Sequence, residues 1–95
     1  MSTIHDLVNA LQESRLTVAL TGAGISVPSG VPDFRGEAGL WRRYEPEIYA
    51  SYRQFCRDPS YFWEMHLDIM KTLVNAVPNP AHRALAILEE MHLME

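Results

Sequence analysis

Gly22, Gly24 and Ser26 are the residues of this chain whose types and spacing suit chemistry on a phosphate. They follow an apolar run, Leu16-Thr17-Val18-Ala19-Leu20, and open a loop rich in glycine and proline. A buried strand that ends in such a turn brings bare backbone amides up to an anion. Gly22 permits the tight turn, and Gly24, with no Cβ, lets a ligand approach the main chain closely. Ser26 and the amides after Gly24 would then donate hydrogen bonds to a pyrophosphate. On its own Gly-x-Gly is equally a strand-to-turn junction with no ligand. The fuller dinucleotide fingerprint wants a third small residue where Val27 stands.

The elements that must hold this loop read in order. Ile4, Leu7, Val8 and Leu11 fall at helical spacing, with Thr3 as cap and Asp6 three residues on. Ser14-Arg15 ends that helix. The run from Leu16 to Leu20 lacks polar alternation apart from Thr17, which suits a parallel strand covered on both faces. From Val27 to Gly39 no period is visible, and a loop of that length in a domain is usually functional or disordered. Trp41 to Tyr44 start a short helix, and Ile48, Tyr49, Tyr52 and Phe55 continue an aromatic segment expected to pack into a core. Asp58-Pro59 starts a helix with a capping carboxylate and a proline at its first position. Phe62, Met65, Ile69, Leu73 and Ala76 form its buried stripe, and Val77-Pro78 stops it. Asn79-Pro80 repeats the start signal for a last helix faced by Ala81, Ala84, Leu85, Leu88 and Met91. Leu93-Met94 then reads as the entry to a second strand.

Ninety-five residues suffice for one small domain. The net charge of −4 argues against a nucleic-acid surface, and no basic cluster exceeds Arg42-Arg43. Cys56 stands alone, so an internal disulfide and an all-cysteine zinc site are excluded for these residues. No apolar run approaches the ~20 residues of a membrane span. Asp6, Asn9, Gln12 and Glu13 interrupt the start, unlike a secretory signal. The expectation is a cytoplasmic protein with no nucleic-acid or membrane partner.

Gly22-Ala23-Gly24-Ile25-Ser26, then Ser29-Gly30, then Pro32-Asp33-Phe34-Arg35-Gly36 closely resemble the first signature of the sirtuin family of NAD-dependent protein deacylases. The resemblance, to the N-terminal part of a prokaryotic member, runs from Ser14 to Glu95. It implies an α/β fold: the first strand, cofactor loop and helices of a Rossmann-like parallel-sheet NAD-binding domain. Residues 1–95 would be a partial domain, with 27–44 the cofactor-binding loop and 45–78 a helical segment.

The resemblance also implies a reaction. An acyl-lysine and NAD give lysine, nicotinamide and an O-acyl-ADP-ribose, with a histidine as general base. Gly22, Ala23, Gly24, Ser26 and Val27 would line the NAD phosphates. Asp33 would sit beside the nicotinamide and its ribose, Phe34 would shield the intermediate, and Arg35 would reach the pyrophosphate. Read alone, those three are a capped turn, a buried aromatic and a solvated arginine. Trp41 lies where related chains place an aromatic. The family's catalytic histidine, its Gln-Asn-Ile-Asp motif and its zinc cysteines have no counterpart here and would follow Glu95. NAD is the implied cofactor. Zinc is expected only in the complete family fold.

His5, His66, His82 and His92 read as packing or surface histidines, with His66 and His92 inside helices. A lone strand also leaves backbone groups unpaired, at about 1–3 kcal/mol for each one buried. Such an edge would invite self-association. The expected partner of the complete enzyme is an acetyl-lysine protein. Two other readings stay open. An ordinary Rossmann dehydrogenase would want a third glycine and an acidic residue ending a second strand. A non-catalytic nucleotide-binding or interaction module would work with a partner chain.

Overall fold

The computed structural model describes residues 3–95, so residues 1 and 2 of the expected domain lie outside it. Every regular element among the described residues is helical. The order is α1 (Thr3–Glu13), a 3-10 helix at Ala23–Ser29, a 3-10 turn at Leu40–Arg42, α2 (Pro46–Tyr49), α3 (Tyr52–Arg57), α4 (Ser60–Leu73) and α5 (Pro80–Glu90). The expected parallel-sheet, Rossmann-like architecture is therefore corrected: there is no strand among the described residues. The reason is that a strand exists only as one side of a ladder. Residues 16–20 carry a strand's composition but no regular structure, and Leu20 is 99% exposed. Their one inter-segment backbone bond runs from the Glu95 N–H to the Thr17 carbonyl, 2.9 Å. Self-association through an unpaired strand falls with the strand itself.

The chain divides into two compact units, Met1–Thr21 with Pro80–Glu95, and Gly22–Asn79. In the first, α1 forms at the expected spacing, with Thr3 as its first described helical residue rather than its cap. Ile4, Leu7 and Val8 stay open to solvent, Ile4 at 74%, and Leu11 is half-buried. Leu7 and Leu11 line an open cavity of about 330 Å³ together with Leu16 and Val18. No described residue of this unit is buried.

α5 ends in a Schellman motif. The Leu93 N–H reaches the Leu88 carbonyl (2.9 Å) and the His92 N–H reaches that of Glu89 (3.0 Å). This places His92 just beyond the helix, not inside it, with a left-handed φ of 60°. An L-residue there carries a steric cost that glycine avoids, about 1–2 kcal/mol for most side chains. His92→Gly is therefore expected to stabilise α5 by up to about 1 kcal/mol. A raised denaturation midpoint at unchanged m-value in the full-length protein checks this.

In the second unit the core centres on Leu40 and Met65, 2% and 4% exposed. Pro46 opens α2 at its first turn. The Ser51 hydroxyl accepts from the Gln54 N–H (3.1 Å) and donates to the Glu47 carbonyl (2.7 Å), joining α2 to α3. The Asp58 carboxylate accepts from the Ser60 N–H (3.0 Å) and hydroxyl (2.7 Å). Those bonds hold Asp58 below the usual carboxylate range. α4 ends at Leu73, a turn before Val77-Pro78. Tyr49 packs edge-on against Tyr44 and Tyr61, as expected of a core aromatic, whereas Tyr52 is 83% exposed.

Candidate functional site

The chain from Gly22 to Tyr44 is a folded loop, fastened at three places. Its first part is the Ala23–Ser29 3-10 helix, entered from extended Gly22 (φ −132°, ψ −163°). Gly30 ends it in the left-handed region at φ 90°, where its N–H bonds back to the carbonyls of Ser26 and Val27. Only glycine takes that conformation without strain. Ala23, Gly24, Ser26 and Val27 thus share one short helix, with Gly22 at its entry. A Cβ added at Gly22 or Gly24 would meet nothing within 4 Å.

The second fastening is Asn79, 6% exposed. Its side-chain Nδ2 donates to the Ile25 carbonyl (2.8 Å) and to Ser29 Oγ (3.0 Å). Local sequence reading gave Asn79 a helix-start role only. A contact spanning more than fifty residues leaves no trace in periodicity or capping pattern.

The third lies around Asp33. Its carboxylate accepts from the Gly36 N–H (2.9 Å), and its carbonyl accepts from the Leu40 N–H (2.8 Å). The Phe34 carbonyl takes the Trp41 N–H (3.0 Å). Asp33 is thus the capped turn of its plainer reading. Gly36 and Gly39 are demanded by this turn. A Cβ at Gly36 would strike the Asp33 carboxylate, and one at Gly39 would lie 2.5 Å from the Phe34 carbonyl oxygen. Because that obstacle is backbone, Gly39→Ala is expected to cost about 1–3 kcal/mol. A fall of that size in chemical-denaturation stability of the full-length protein checks it.

These bonds stack the Phe34 ring on Trp41, centroids 5.0 Å apart at 29°. Phe34 is partly exposed rather than a buried aromatic. Phe34, Arg35, Trp41 and Arg42 line an open cavity of about 540 Å³. That volume lies within the range usual for small-molecule sites. Two guanidinium groups beside an aromatic pair suit a ligand with both phosphates and rings. Arg42 was not among the expected site residues. Its Nε lies 3.4 Å from the Gly36 carbonyl, and that link too is invisible in sequence. None of the residues expected on the phosphates, Gly22 to Val27, lines this cavity.

Beyond the loop, the Tyr44 hydroxyl donates to Asp68 Oδ2, and Arg43 Nη1 lies 3.3 Å from the same oxygen. The Tyr44 bond, aided by Arg43, holds Asp68 below the usual carboxylate range. The same bond, with desolvation, raises the Tyr44 phenol. A lowered carboxylate stabilises the fold above its unfolded value and ceases to do so as pH falls through the folded one. This brace between residue 44 and α4 is therefore a neutral-pH feature. Among the described residues no group of three His, Cys, Asp or Glu side chains can hold a metal ion, so these residues do not fit the zinc of the implied family fold. No helix among them is long and apolar enough to cross a membrane.

A sequence model of the Sir2 family matches residues 22–95. The chain is 49% identical over 92 residues to NAD-dependent protein deacylase 2 of Archaeoglobus fulgidus, covering 97% of this chain and 36% of that protein. It is 48% identical over 92 residues to the NAD-dependent protein deacylase of Pyrococcus furiosus, covering 97% and 37%. A solved complex described as Sir2-p53 peptide-NAD+ superposes with a TM-score of 0.80 at 40% identity, covering 99% of this chain and 36% of that one. A structure from work on the mechanism and regulation of Sir2 enzymes gives 0.86 at 47% identity, covering 97% and 36%. The chain spans little more than a third of the length of these relatives.

Proposed function

The chain belongs to the Sir2 family of NAD-dependent protein deacylases, and we propose that these residues form its nucleotide-binding module, which serves deacylation only together with further polypeptide. The observation that carries this reading is the cavity where Arg35 and Arg42 flank the stacked Phe34 and Trp41. NAD fits there by the chemistry of the donors. The guanidinium groups meet phosphate, and the rings meet a base or nicotinamide. When bound, NAD supplies the ribosyl carbon that accepts the acyl oxygen and the nicotinamide that leaves.

The chain's own residues bind and orient. Gly22, Ala23, Gly24, Ser26 and Val27 are assigned to the phosphates. The open space around Gly22 and Gly24 supports this, since the fold itself does not require glycine at either position. Asp33 is assigned to the nicotinamide side, Phe34 to shielding and Arg35 to the pyrophosphate, with 27–44 as the cofactor loop and 45–78 as the helical segment. The p53 peptide and NAD+ of the solved relative, with the deacylase names of the sequence relatives, support an acyl-lysine protein as substrate. The lone exposed thiol of Cys56 suits a reducing cytoplasm.

The test incubates the full-length protein with NAD and an acetyl-lysine peptide. Nicotinamide released in step with deacetylated peptide is the expected result. Accumulating NADH would make it a dehydrogenase. ADP-ribose binding without turnover would make it a binding module alone.

A further inference from the structure

Asn79 spends both hydrogens of one amide nitrogen on the Ala23–Ser29 helix. It is also the buried polar side chain of the second unit. The Ile25 carbonyl that it grips belongs to the same peptide plane as the Ser26 N–H. No peptide bond among the described residues is cis, so that carbonyl and that N–H point in opposite directions. Holding one therefore sets the direction of the other. The next peptide is set separately, because the Ser26 carbonyl accepts from the N–H groups of Gly30 and of Val31 (3.3 Å).

We infer that Asn79 is a positioning residue for nucleotide binding: its amide takes the Ile25 carbonyl, to which Pro28 has no N–H to offer, and thereby holds the course of the Ala23–Ser29 helix in the loop that meets the nucleotide. The inference rests on the nucleotide-binding reading above. It adds that the loop's shape is held from outside the loop, by the Asn79 side chain. The bond to Ser29 is the lesser one, since it fixes a side chain and not a peptide plane.

The test uses four variants of the full-length protein. Asn79→Asp keeps the shape, removes both donors and turns a carboxylate oxygen toward the Ile25 carbonyl. Asn79→Ala removes the group. Asn79→Thr restores one hydroxyl donor. Ser29→Ala removes only the second bond. Calorimetry with ADP-ribose is expected to show binding weakened about tenfold or more in Asn79→Asp and Asn79→Ala. Asn79→Thr is expected between these and the parent, and Ser29→Ala within about threefold of the parent. KM for NAD should rise in parallel, while kcat at saturating NAD and KM for an acetyl-lysine peptide stay within about twofold. A purely structural role would not produce that split. If Asn79→Asp fails to fold, Asn79→Thr carries the test through its selective rise in KM for NAD. Parent-like ADP-ribose affinity in a folded Asn79→Asp overturns the inference, as does equal loss toward NAD and peptide. A parent protein that binds no ADP-ribose fails differently: it removes the nucleotide-binding reading itself.

Discussion

Arg35→Ala in the full-length protein is expected to lower kcat/KM for NAD by about ten- to a hundredfold. A charge-assisted hydrogen bond to phosphate contributes about 1.5–3 kcal/mol, and each 1.4 kcal/mol is a factor of ten. Arg35 is exposed, lines the cavity beside Phe34 and makes no ion pair among the described residues. Its removal therefore leaves packing alone, and the unfolding midpoint should move by no more than a surface substitution moves it, roughly ±0.5 kcal/mol. Arg35→Lys should recover only part of the loss, because an ammonium keeps the charge but not the planar fork. Steady-state rates at limiting NAD, beside thermal unfolding of the same samples, decide the matter. An unchanged rate would leave Arg35 a solvated surface charge.

What could be read in advance follows how local each cause is. A helix is legible where its causes lie within a turn or two: the spacing of α1, and Asp58 bonded to Ser60 ahead of α4. Of the stripe read on α4 only Met65 is buried, and the break of residues 46–57 into α2 and α3 at Pro46 and Ser51 is not read from the sequence. The signature singles out Phe34 and Arg35, and Trp41 stands outside it where related chains place an aromatic; the structure brings the three to one cavity. The strand from Leu16 to Leu20 was misread because composition reports what a segment can do, whereas a ladder needs a second segment. Sequence puts His92 inside a helix because nothing in its type announces a left-handed φ. Asn79 and Arg42 were missed for one shared reason. Each acts on a backbone carbonyl, and a carbonyl has no letter in the sequence. Gly36 and Gly39 show the same blindness: they read as loop punctuation, yet the Asp33 carboxylate and the Phe34 carbonyl occupy the space a Cβ would need.

Residues 1–95 by themselves are expected to release no nicotinamide from NAD and an acetyl-lysine peptide, and to melt without a cooperative transition. The chemical argument concerns the base. General-base catalysis needs a group within hydrogen-bond reach, about 2.6–3.2 Å, of the ribose hydroxyl it activates. None of the four histidines lines the cavity of Phe34, Arg35, Trp41 and Arg42. His5 is exposed on α1. His66 is stacked on Phe62, centroids 5.5 Å apart at 16°, with Trp63 edge-on at 5.6 Å. His92 closes the Schellman turn after α5, and His82 lies in the first turn of that helix. The energetic argument concerns the core. Ordering a backbone costs about 1–2 kcal/mol per residue, and apolar burial must offset it. Here Leu40 and Met65 are the buried apolar side chains among the described residues, and the unit built from α1 and α5 has none. Helices this short are marginal without tertiary packing. The Ser51 cap of α3 and the Asp58–Ser60 turn ahead of α4 sustain helical content without giving a single transition. Circular dichroism should therefore show helix that fades gradually on heating. Peptide-dependent nicotinamide release from this segment alone would overturn the catalytic half of the expectation. A sharp two-state melt would overturn the other half.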